Sequence, residues 1–258
     1  MKTYCIEESG KGLIGHWYWL MVAALPKIPE FGKEKIQLCF KDERYPIFQI
    51  ETFDILKDKI ELVPYTSDHI YIESIKPNFV SNDSEIPFID KDVIFFLRDL
   101  FLSSIENIEV KGYDKIYIRR NLSHLSLGNE LDTACKNIRR RQILNEDELV
   151  EKLKELNFKI LNLEEYHTRD KLRIFYSTSV ILGPNGGGMC HNFVSRPGTK
   201  YIEILPQNPH QYIDQYKCIS KYLNLEFHRF QDVIKEDHLD NMSVNIDSLI
   251  TYLKNILS

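Results

Sequence analysis

The sequence lacks any apolar run long enough to cross a membrane. Its longest strongly apolar stretch, residues 17–25, has nine residues, whereas a transmembrane helix needs about 20. It also lacks the basic, apolar and small-residue segments of a secretion signal, because acidic residues stand early, at Glu7 and Glu8. These absences argue against a membrane-spanning or exported protein, and we expect a cytoplasmic location.

Paired cysteines are also missing. The five cysteines stand at positions 5, 39, 135, 190 and 218, and none of them forms a Cys-x-x-Cys pair. An odd, scattered set is typical of reduced thiols in a cytosol-like compartment and not of a disulfide framework.

There is no excess of basic charge. The chain has 33 Lys and Arg against 38 Asp and Glu, a formal net charge of −5, which argues against a dedicated nucleic-acid binder. Between residues 115 and 141, however, seven basic and two acidic residues give a local net charge of +5. A basic island on an acidic protein favours a small anionic ligand. A solvated basic loop explains the charge equally well.

The composition is that of a folded protein. Of the 258 residues, 43% are hydrophobic and 28% are charged, which excludes disorder as the main state. The length fits one large or two small domains. The pattern changes near residue 112, so we predict an N-terminal α/β domain over 1–112, a second α/β domain over 113–240, and a C-terminal helical segment over 241–258 that packs back on the body.

The second domain alternates strands and helices, which predicts a doubly wound, Rossmann-like fold. Predicted strands cover 115–119, 158–163, 180–182 and 199–205, and predicted helices cover 146–156, a segment that starts at Thr168, a short segment after Gly188, and 246–257. Asn145 and Glu148 have the spacing of a capping box at the first of these helices.

The first domain gives weaker signals for a smaller α/β unit. An apolar helix is predicted over 17–25, ended by Pro26. Strands are predicted over 35–40 and 60–63, and helices over 48–56 and 92–102. The apolar face of the last helix is predicted to hold Val93, Phe96, Leu97 and Leu100.

A glycine-rich loop, Gly183-Pro-Asn-Gly-Gly-Gly-Met189, joins a buried strand to a helix. Glycines permit positive φ and a close approach of backbone N–H groups to a ligand, and a helix N-terminus favours a phosphate. The spacing is neither that of a dinucleotide fingerprint nor that of a P-loop. A phosphate cradle and a simple tight turn therefore both stay open.

Arginines fall at the same predicted edge of the sheet. Arg119 and Arg120 follow one strand, and Arg141 precedes a helix. Arginine can bind a diphosphate through two parallel hydrogen bonds. Glu203 stands alone in an otherwise apolar strand, where its partner is either a ribose hydroxyl or one of the arginines near 119–120 and 139–141.

These motifs resemble the catalytic domain of glycosyltransferase family 61, found in polysaccharide synthesis and among eukaryotic xylosyl-, arabinosyl- and N-acetylglucosaminyltransferases. The resemblance covers residues 116–206 most strongly. It is carried, in order and spacing, by Ile116-Tyr-Ile-Arg-Arg120, Arg141-Gln-Ile-Leu-Asn-Glu-Asp-Glu148, Gly183-Pro-Asn-Gly-Gly-Gly-Met189, Arg196-Pro-Gly-Thr199 and Glu203.

The sequence also departs from the family pattern. The usual loop His is Asn185 here, and the usual Ala is Gly187. The family tends to place a His seven residues before an N-terminal proline with a carboxylate between them, whereas His16 stands ten residues before Pro26 and Ala23 takes the place of the carboxylate. Donor binding therefore carries over, and the catalytic base does not.

The resemblance implies a GT-B fold, in which two Rossmann-like domains face a cleft. It further implies transfer from a nucleotide sugar, most simply a UDP-sugar, to a glycan or glycolipid acceptor, with inversion, without metal and without a cofactor, and it allows peripheral contact with a membrane. The donor-binding residues that it implies, together with the arginines, are Arg119, Arg120, Arg141, Asn185, Gly186, Gly187, Gly188, Met189 and Glu203.

His16 is the candidate general base in the first domain, since a neutral imidazole accepts a proton near pH 7. The alternative is a structural histidine packed among aromatic residues, and Glu7, Glu8 and Asp90 are reserve candidates. Two other functions stay open. One is a catalytically inactive nucleotide-binding subunit of a glycan assembly complex, and the other is a transferase that uses a phosphorylated pyruvyl or phosphoryl donor.

Overall fold

The structure is a computed structural model. It describes residues 2–6, 18, 22–41, 47–65, 67–75, 89–105, 112–120, 141–207 and 214–257. The chain divides into two compact units. The first contains Met1–Glu109 and His167–Arg173, and the second contains Val110–Tyr166 and Ile174–Ser258. Both units combine helices with parallel sheets, which confirms the predicted α/β class at that level.

The first unit contains a sheet whose described strands pair in the order β3-β2-β1-β4, each pair parallel. This order, 3-2-1-4, is that of the first four strands in the Rossmann order 3-2-1-4-5-6. Its elements are β1 (Thr3–Ile6), a 3₁₀ helix (Val22–Lys27), β2 (Ile36–Cys39), α1 (Ile47–Ile55), β3 (Ile60–Leu62), β4 (Ile70–Ile72) and α2 (Lys91–Leu102).

Three details of the first unit differ from the sequence-based predictions. Strands β1 and β4 were not predicted. The predicted apolar helix over 17–25 lies partly outside the described residues, and Pro26, predicted to end it, lies inside the 3₁₀ helix Val22–Lys27, whose short turn tolerates the missing N–H. In α2 the buried face contains Ile94, Leu97, Leu100 and Phe101, while Val93 and Phe96 are only half-buried.

The second unit contains a parallel sheet in the order β6-β5-β7-β8-β9, and a separate antiparallel pair, β10-β11. In chain order this is 2-1-3-4-5, a flavodoxin-like arrangement that reverses direction between β5 and β7. Its elements are β5 (Lys115–Ile118), α3 (Glu146–Glu155), β6 (Lys159–Leu161), α4 (Thr168–Ser177, shared with the first unit), β7 (Val180–Pro184), a 3₁₀ helix (Gly187–Val194), β8 (Lys200–Ile204), α5 (Gln215–Leu223), β9 (Glu226–Phe230), β10 (Val233–Lys235), β11 (Met242–Val244) and α6 (Ile246–Leu257).

One continuous apolar core supports this second sheet. Strand β7 is buried along its whole length, as expected for a central parallel strand covered on both faces. The amphipathic helices α3 and α6 pack against each other through side chains that include Leu149, Leu153, Leu249 and Leu253, all fully buried. Burial of each such side chain contributes about 1.5–3 kcal/mol. The core therefore holds rigid the strand ends that carry the candidate site.

The start of α3 does not have the predicted capping box. Asn145 makes no side-chain cap. Its amide instead donates to the main-chain oxygen of Val244 at 2.8 Å and accepts from the N–H of the same residue at 2.9 Å. Glu148 is exposed. The prediction was wrong because the side chain of Asn145 joins α3 to β11, a strand that lies about 100 residues further along the chain.

The Arg196-Pro-Gly-Thr199 motif forms the turn before β8. The N–H of Thr199 donates to the main-chain oxygen of Arg196 at 3.1 Å, and Gly198 has a φ of 81°. Proline followed by a glycine with positive φ is the signature of a type II turn. This glycine is therefore required by backbone conformation alone, because a Cβ at Gly198 would meet no atom within 4 Å.

Candidate functional site

The carboxyl ends of β5 and β7 meet at the point where the strand order of the second unit reverses. Arg119 and Arg120 directly follow β5, and Asn185 and Gly186 directly follow β7. Ligands of open α/β sheets bind at this kind of switch point. The arginines after β5 and the glycine loop after β7 therefore lie at one edge of the sheet, as predicted from the parallel order of the strands.

Two arginines hold the loop through the main chain of Asn185. Its carbonyl oxygen accepts hydrogen bonds from Nη1 of Arg120 at 2.7 Å and from Nη1 of Arg141 at 3.3 Å. The Asn185 side chain is buried, with its oxygen bound to Arg141 and its amide nitrogen donating to Glu203. The loop thus has a fixed conformation that depends on three charged side chains.

Gly186 is explained by space and not by a left-handed conformation. Its φ is 171°, an extended value that any residue adopts, and among the described glycines only Gly32 and Gly198 have φ in the left-handed region. The prediction that glycine is needed here for positive φ was therefore wrong, and the close approach of the backbone to a ligand stays a prediction. A Cβ at Gly186 would lie 1.7 Å from Nη1 of Arg120, so the absent side chain makes room for that guanidinium.

The rest of the loop turns into the 3₁₀ helix Gly187–Val194. Gly187 is exposed, and Gly188 is half-buried. A Cβ at Gly188 would lie 3.2 Å from Cδ1 of Leu163, an ordinary side chain that can adjust. Met189 is buried beneath the loop and packs close to Gly183. The exposed part of the loop is therefore the backbone at Gly187.

Arg119 joins the end of β5 to the start of α3. Its Nε lies 3.1 Å from a carboxylate oxygen of Glu146, and its Nη2 lies 2.7 Å from one of Asp147. Burial lowers the pKa of Arg119, but hydrogen bonds and charge from Glu146 and then Asp147 more than offset this and leave the pKa raised. Glu146 also accepts from the Tyr117 hydroxyl at 2.8 Å. Glu146 was predicted only as a first-turn helix residue, and not as a partner of the arginine.

Arg141 has an unusual backbone conformation. Its φ is 60°, a left-handed conformation that costs an ordinary residue about 1–2 kcal/mol. Its N–H donates to the main-chain oxygen of Leu239 at 3.0 Å, and the residue is 8% exposed. Strained residues of this kind cluster at functional sites, and the guanidinium of Arg141 here donates to Asn185.

Glu203 is enclosed completely, with no exposed surface. Its ion pair is with Arg229 of β9, at 2.7 Å, and Arg229 in turn pairs with Asp214 at 2.9 Å. Burial raises the pKa of Glu203, while the charge of Arg229 and the amide of Asn185 act to lower it. The expected alternative, an ion pair, is thus present, but with an arginine that was not considered. The ribose role of Glu203 stays a prediction.

Tyr216 of α5 is a further part of the site that was not predicted. Its hydroxyl donates to the main-chain oxygen of Gly186 at 2.5 Å, and the side chain is buried. Burial raises the pKa of this phenol well above its usual range, so the hydroxyl stays protonated at neutral pH. In the sequence only the apolar spacing of α5 could have placed Tyr216 in the core.

The candidate base lies outside the described residues, as do Glu7 and Glu8, so the role of His16 stays a prediction. Asp90 is exposed and precedes α2. Within the described part of the chain, no cluster of three His, Cys, Asp or Glu side chains is arranged to hold a metal ion. In the same part, no helix has the length and apolar character needed to cross a membrane.

A doubly wound sheet with arginines and a glycine loop at its switch point defines an α/β domain suited to a phosphorylated ligand. The model of the family described as Glycosyltransferase 61 matches residues 14–202, more than half of the chain. The chain therefore belongs to glycosyltransferase family 61, a family of sugar-transferring enzymes, and the predicted membership is confirmed.

A curated relative is similar over part of its length. The chain is 24% identical over 168 residues to Beta-1,2-xylosyltransferase RCN11 of Oryza sativa subsp. japonica, covering 62% of this chain and 28% of the relative. The chain thus spans less than a third of that protein.

Two solved glycosyltransferases show a distant likeness. The bacterial iron-containing dodecameric glycosyltransferase TibC of enterotoxigenic E. coli H10407 has a TM-score of 0.41 and 9% identity, covering 82% of this chain and 60% of its own. The E. coli heptosyltransferase WaaC with ADP has a TM-score of 0.43 and 8% identity, covering 99% of both chains. Both likenesses are weak in sequence and in superposition.

Proposed function

We propose that this protein is a glycosyltransferase that moves a sugar from a nucleotide diphosphate donor, a UDP-sugar, to a hydroxyl group of a glycan or glycolipid acceptor. The transfer is proposed to invert the anomeric carbon and to need no metal. The observation that carries the proposal is the position of the Asn185–Gly186 loop and its arginines at the switch point, in a chain that belongs to family 61.

The chemistry of transfer requires a stabilised leaving group. When the bond between the sugar and the diphosphate breaks, negative charge develops on the diphosphate, and preorganised donors lower the barrier. Arg120 and Arg141 bring positive charge to the loop, and the helix that begins at Gly187 adds backbone N–H groups at its N-terminus. We assign these groups, together with Gly188 and Met189, to donor binding.

The acceptor hydroxyl must lose a proton, and we propose His16 as its general base. Strand β1 ends at Ile6, next to β4, where the strand order of the first sheet reverses. His16 follows ten residues later in the sequence. The two units would then divide the work as in a GT-B enzyme, with the donor on the second and the acceptor mainly on the first.

A second candidate function is favoured by Asn185. The family's usual histidine can exchange a proton near pH 7, whereas an amide cannot. Both ends of the Asn185 side chain are also engaged, by Arg141 and Glu203. These facts support a nucleotide-binding subunit without transfer activity as the alternative.

The test combines binding and turnover. Calorimetry with UDP, and thermal shift with UDP-, GDP-, CMP- and dTDP-sugars, should identify a donor, because a ligand at 100 times its dissociation constant stabilises the fold by about 2.7 kcal/mol. Transfer or hydrolysis is then measured for the donor that binds, with and without excess EDTA.

Each outcome has a distinct meaning. Turnover that survives EDTA supports the main proposal. Tight binding of a donor without any turnover supports the inactive subunit. Loss of activity in EDTA with rescue by Mn²⁺ contradicts metal-free transfer, and binding of phosphoenolpyruvate in place of every nucleotide contradicts the nucleotide-sugar donor.

A further inference from the structure

Two buried tyrosine hydroxyls donate hydrogen bonds to main-chain carbonyl groups of the glycine loop. Tyr216 donates to the oxygen of Gly186 at 2.5 Å, and Tyr201 of β8 donates to the oxygen of Met189 at 3.2 Å. Both phenols are almost completely buried. The first carbonyl lies in the loop, and the second lies inside the 3₁₀ helix Gly187–Val194.

The direction of a carbonyl fixes the direction of the next N–H. In a trans peptide the two groups point to opposite sides, and the described chain has no cis peptide bond. The Gly186 carbonyl points to Tyr216 in the core, so the N–H of the exposed Gly187 points away from the core. In the same way, the Asn185 carbonyl points to Arg120, which turns the Gly186 N–H to the opposite side.

Among the described residues, no atom accepts a hydrogen bond from the N–H of Gly186 or Gly187. Gly186 is almost fully extended, with φ 171° and ψ 175°, so its N–H and the N–H of Gly187 point to opposite sides, and the N–H of the exposed Gly187 is the one directed outward. The Gly186 carbonyl, which sets the direction of the Gly187 N–H, accepts two hydrogen bonds, one from the Tyr216 hydroxyl at 2.5 Å and one from the N–H of Met189 at 3.0 Å.

We propose that Tyr216 is a positioning residue for donor binding, whose hydroxyl holds the Gly186–Gly187 peptide so that the Gly187 N–H faces the diphosphate. This inference rests on the proposed function. Tyr216 acts through the loop and does not itself touch the donor. It lies outside residues 14–202, the part of the chain that the family model matches.

The test compares Tyr216→Phe with Tyr201→Phe. Each substitution removes one buried hydroxyl that donates to a main-chain carbonyl, so both variants should melt at a similarly lowered temperature. Only Tyr216→Phe should weaken UDP binding, by roughly tenfold in calorimetry, because only there does the peptide that loses a hydrogen bond present an exposed N–H. Tyr201→Phe should bind UDP as the wild type does.

A second measurement does not depend on any variant. In ¹H–¹⁵N spectra of the wild-type protein, addition of UDP should shift the amide proton of Gly187 downfield, as a new hydrogen bond to a phosphate oxygen does. If the wild type binds UDP but this proton does not move, the inference is overturned.

The outcomes separate this inference from the proposed function. Wild-type protein that binds UDP, with equal affinity in both tyrosine variants, overturns the role of Tyr216 and leaves the proposed function intact. Wild-type protein that binds no nucleotide or nucleotide sugar overturns the proposed function and this inference with it.

Discussion

Replacing Gly186 by Ala tests why the loop needs glycine at this position. The new Cβ would lie 1.7 Å from Nη1 and 2.8 Å from Cζ of Arg120, whereas non-bonded atoms of this size rest about 3.5–4.0 Å apart. The guanidinium must therefore move by roughly 2 Å. That movement breaks its 2.7 Å hydrogen bond to the Asn185 carbonyl.

The expected loss of stability follows from the hydrogen bond between Arg120 and Asn185. A hydrogen bond that involves a charged group contributes about 1.5–3 kcal/mol. The extended φ of Gly186 suits alanine, and the stiffer unfolded chain returns about 0.4–1 kcal/mol. We therefore expect the free energy of unfolding to fall by about 1–2 kcal/mol. The affinity for UDP should fall about tenfold or more, because a positive charge leaves the loop.

Gly198→Ala is the matched control. Its Cβ meets no atom, but its φ of 81° strains an alanine by about 1–2 kcal/mol. Urea denaturation should show similar losses for both variants, and calorimetry should show weaker UDP binding for Gly186→Ala alone. The reasoning is refuted if Gly186→Ala keeps wild-type stability and affinity, or if both variants lose affinity equally.

Three further predictions concern stability, each measured by urea denaturation. Asn145→Ala should lower the free energy of unfolding by about 1–3 kcal/mol because two hydrogen bonds are lost. Glu148→Ala should change it by less than about 0.5 kcal/mol. Equal losses in the two variants would mean that the two residues do form a capping box. Arg229→Met should cost about 3–5 kcal/mol at pH 7, since it leaves the buried Glu203 carboxylate unpaired. Burial raises the pKa of that carboxyl, so the deficit should shrink as the pH falls and the carboxyl takes up a proton, and a deficit that does not change with pH would contradict the assignment. A hydrogen bond from Tyr4, and then one from Lys2, lower the pKa of Glu30 from 4.5 to about 2. The contribution of Glu30 to the free energy of unfolding is therefore present above pH 4.5 and lost as the pH falls toward 2. In Glu30→Gln the free energy of unfolding should fall less steeply over this pH range.

Elements with a strong amphipathic pattern could be predicted from the sequence. The bounds of α3 and α6 differ from the predicted ones by a residue at most. The short strands β2 and β3 lie within the predicted strands over 35–40 and 60–63, whereas β4 was not predicted. Strand β4 has three residues, of which Ile70 and Tyr71 are exposed, so it shows neither alternation nor a buried run. Its place in the sheet comes from pairing with β1, which no local pattern reports.

In the candidate site, too, some features could be predicted from the sequence and others could not. That Arg120 and the loop after β7 share one edge follows from the parallel sheet alone. The partner of Glu203 depends on which strand comes next, because β8 and β9 pair in a register that sets Glu203 opposite Arg229. Tyr216 reaches Gly186 only because α5 packs beside the loop. Such contacts are decided by tertiary structure and not by residue type.

The strand order of the second unit also has a kinetic consequence. Every described pair in its five-stranded sheet is parallel, so no local hairpin can start it, and each pairing must first close a long loop at an entropic cost. The hydrogen bond between Arg120 and Asn185 joins residues 65 apart, and Glu203 must arrive on a later strand. We therefore expect the loop to gain its shape late in folding. A nascent chain that stops before β8 would contain the glycines but not the site.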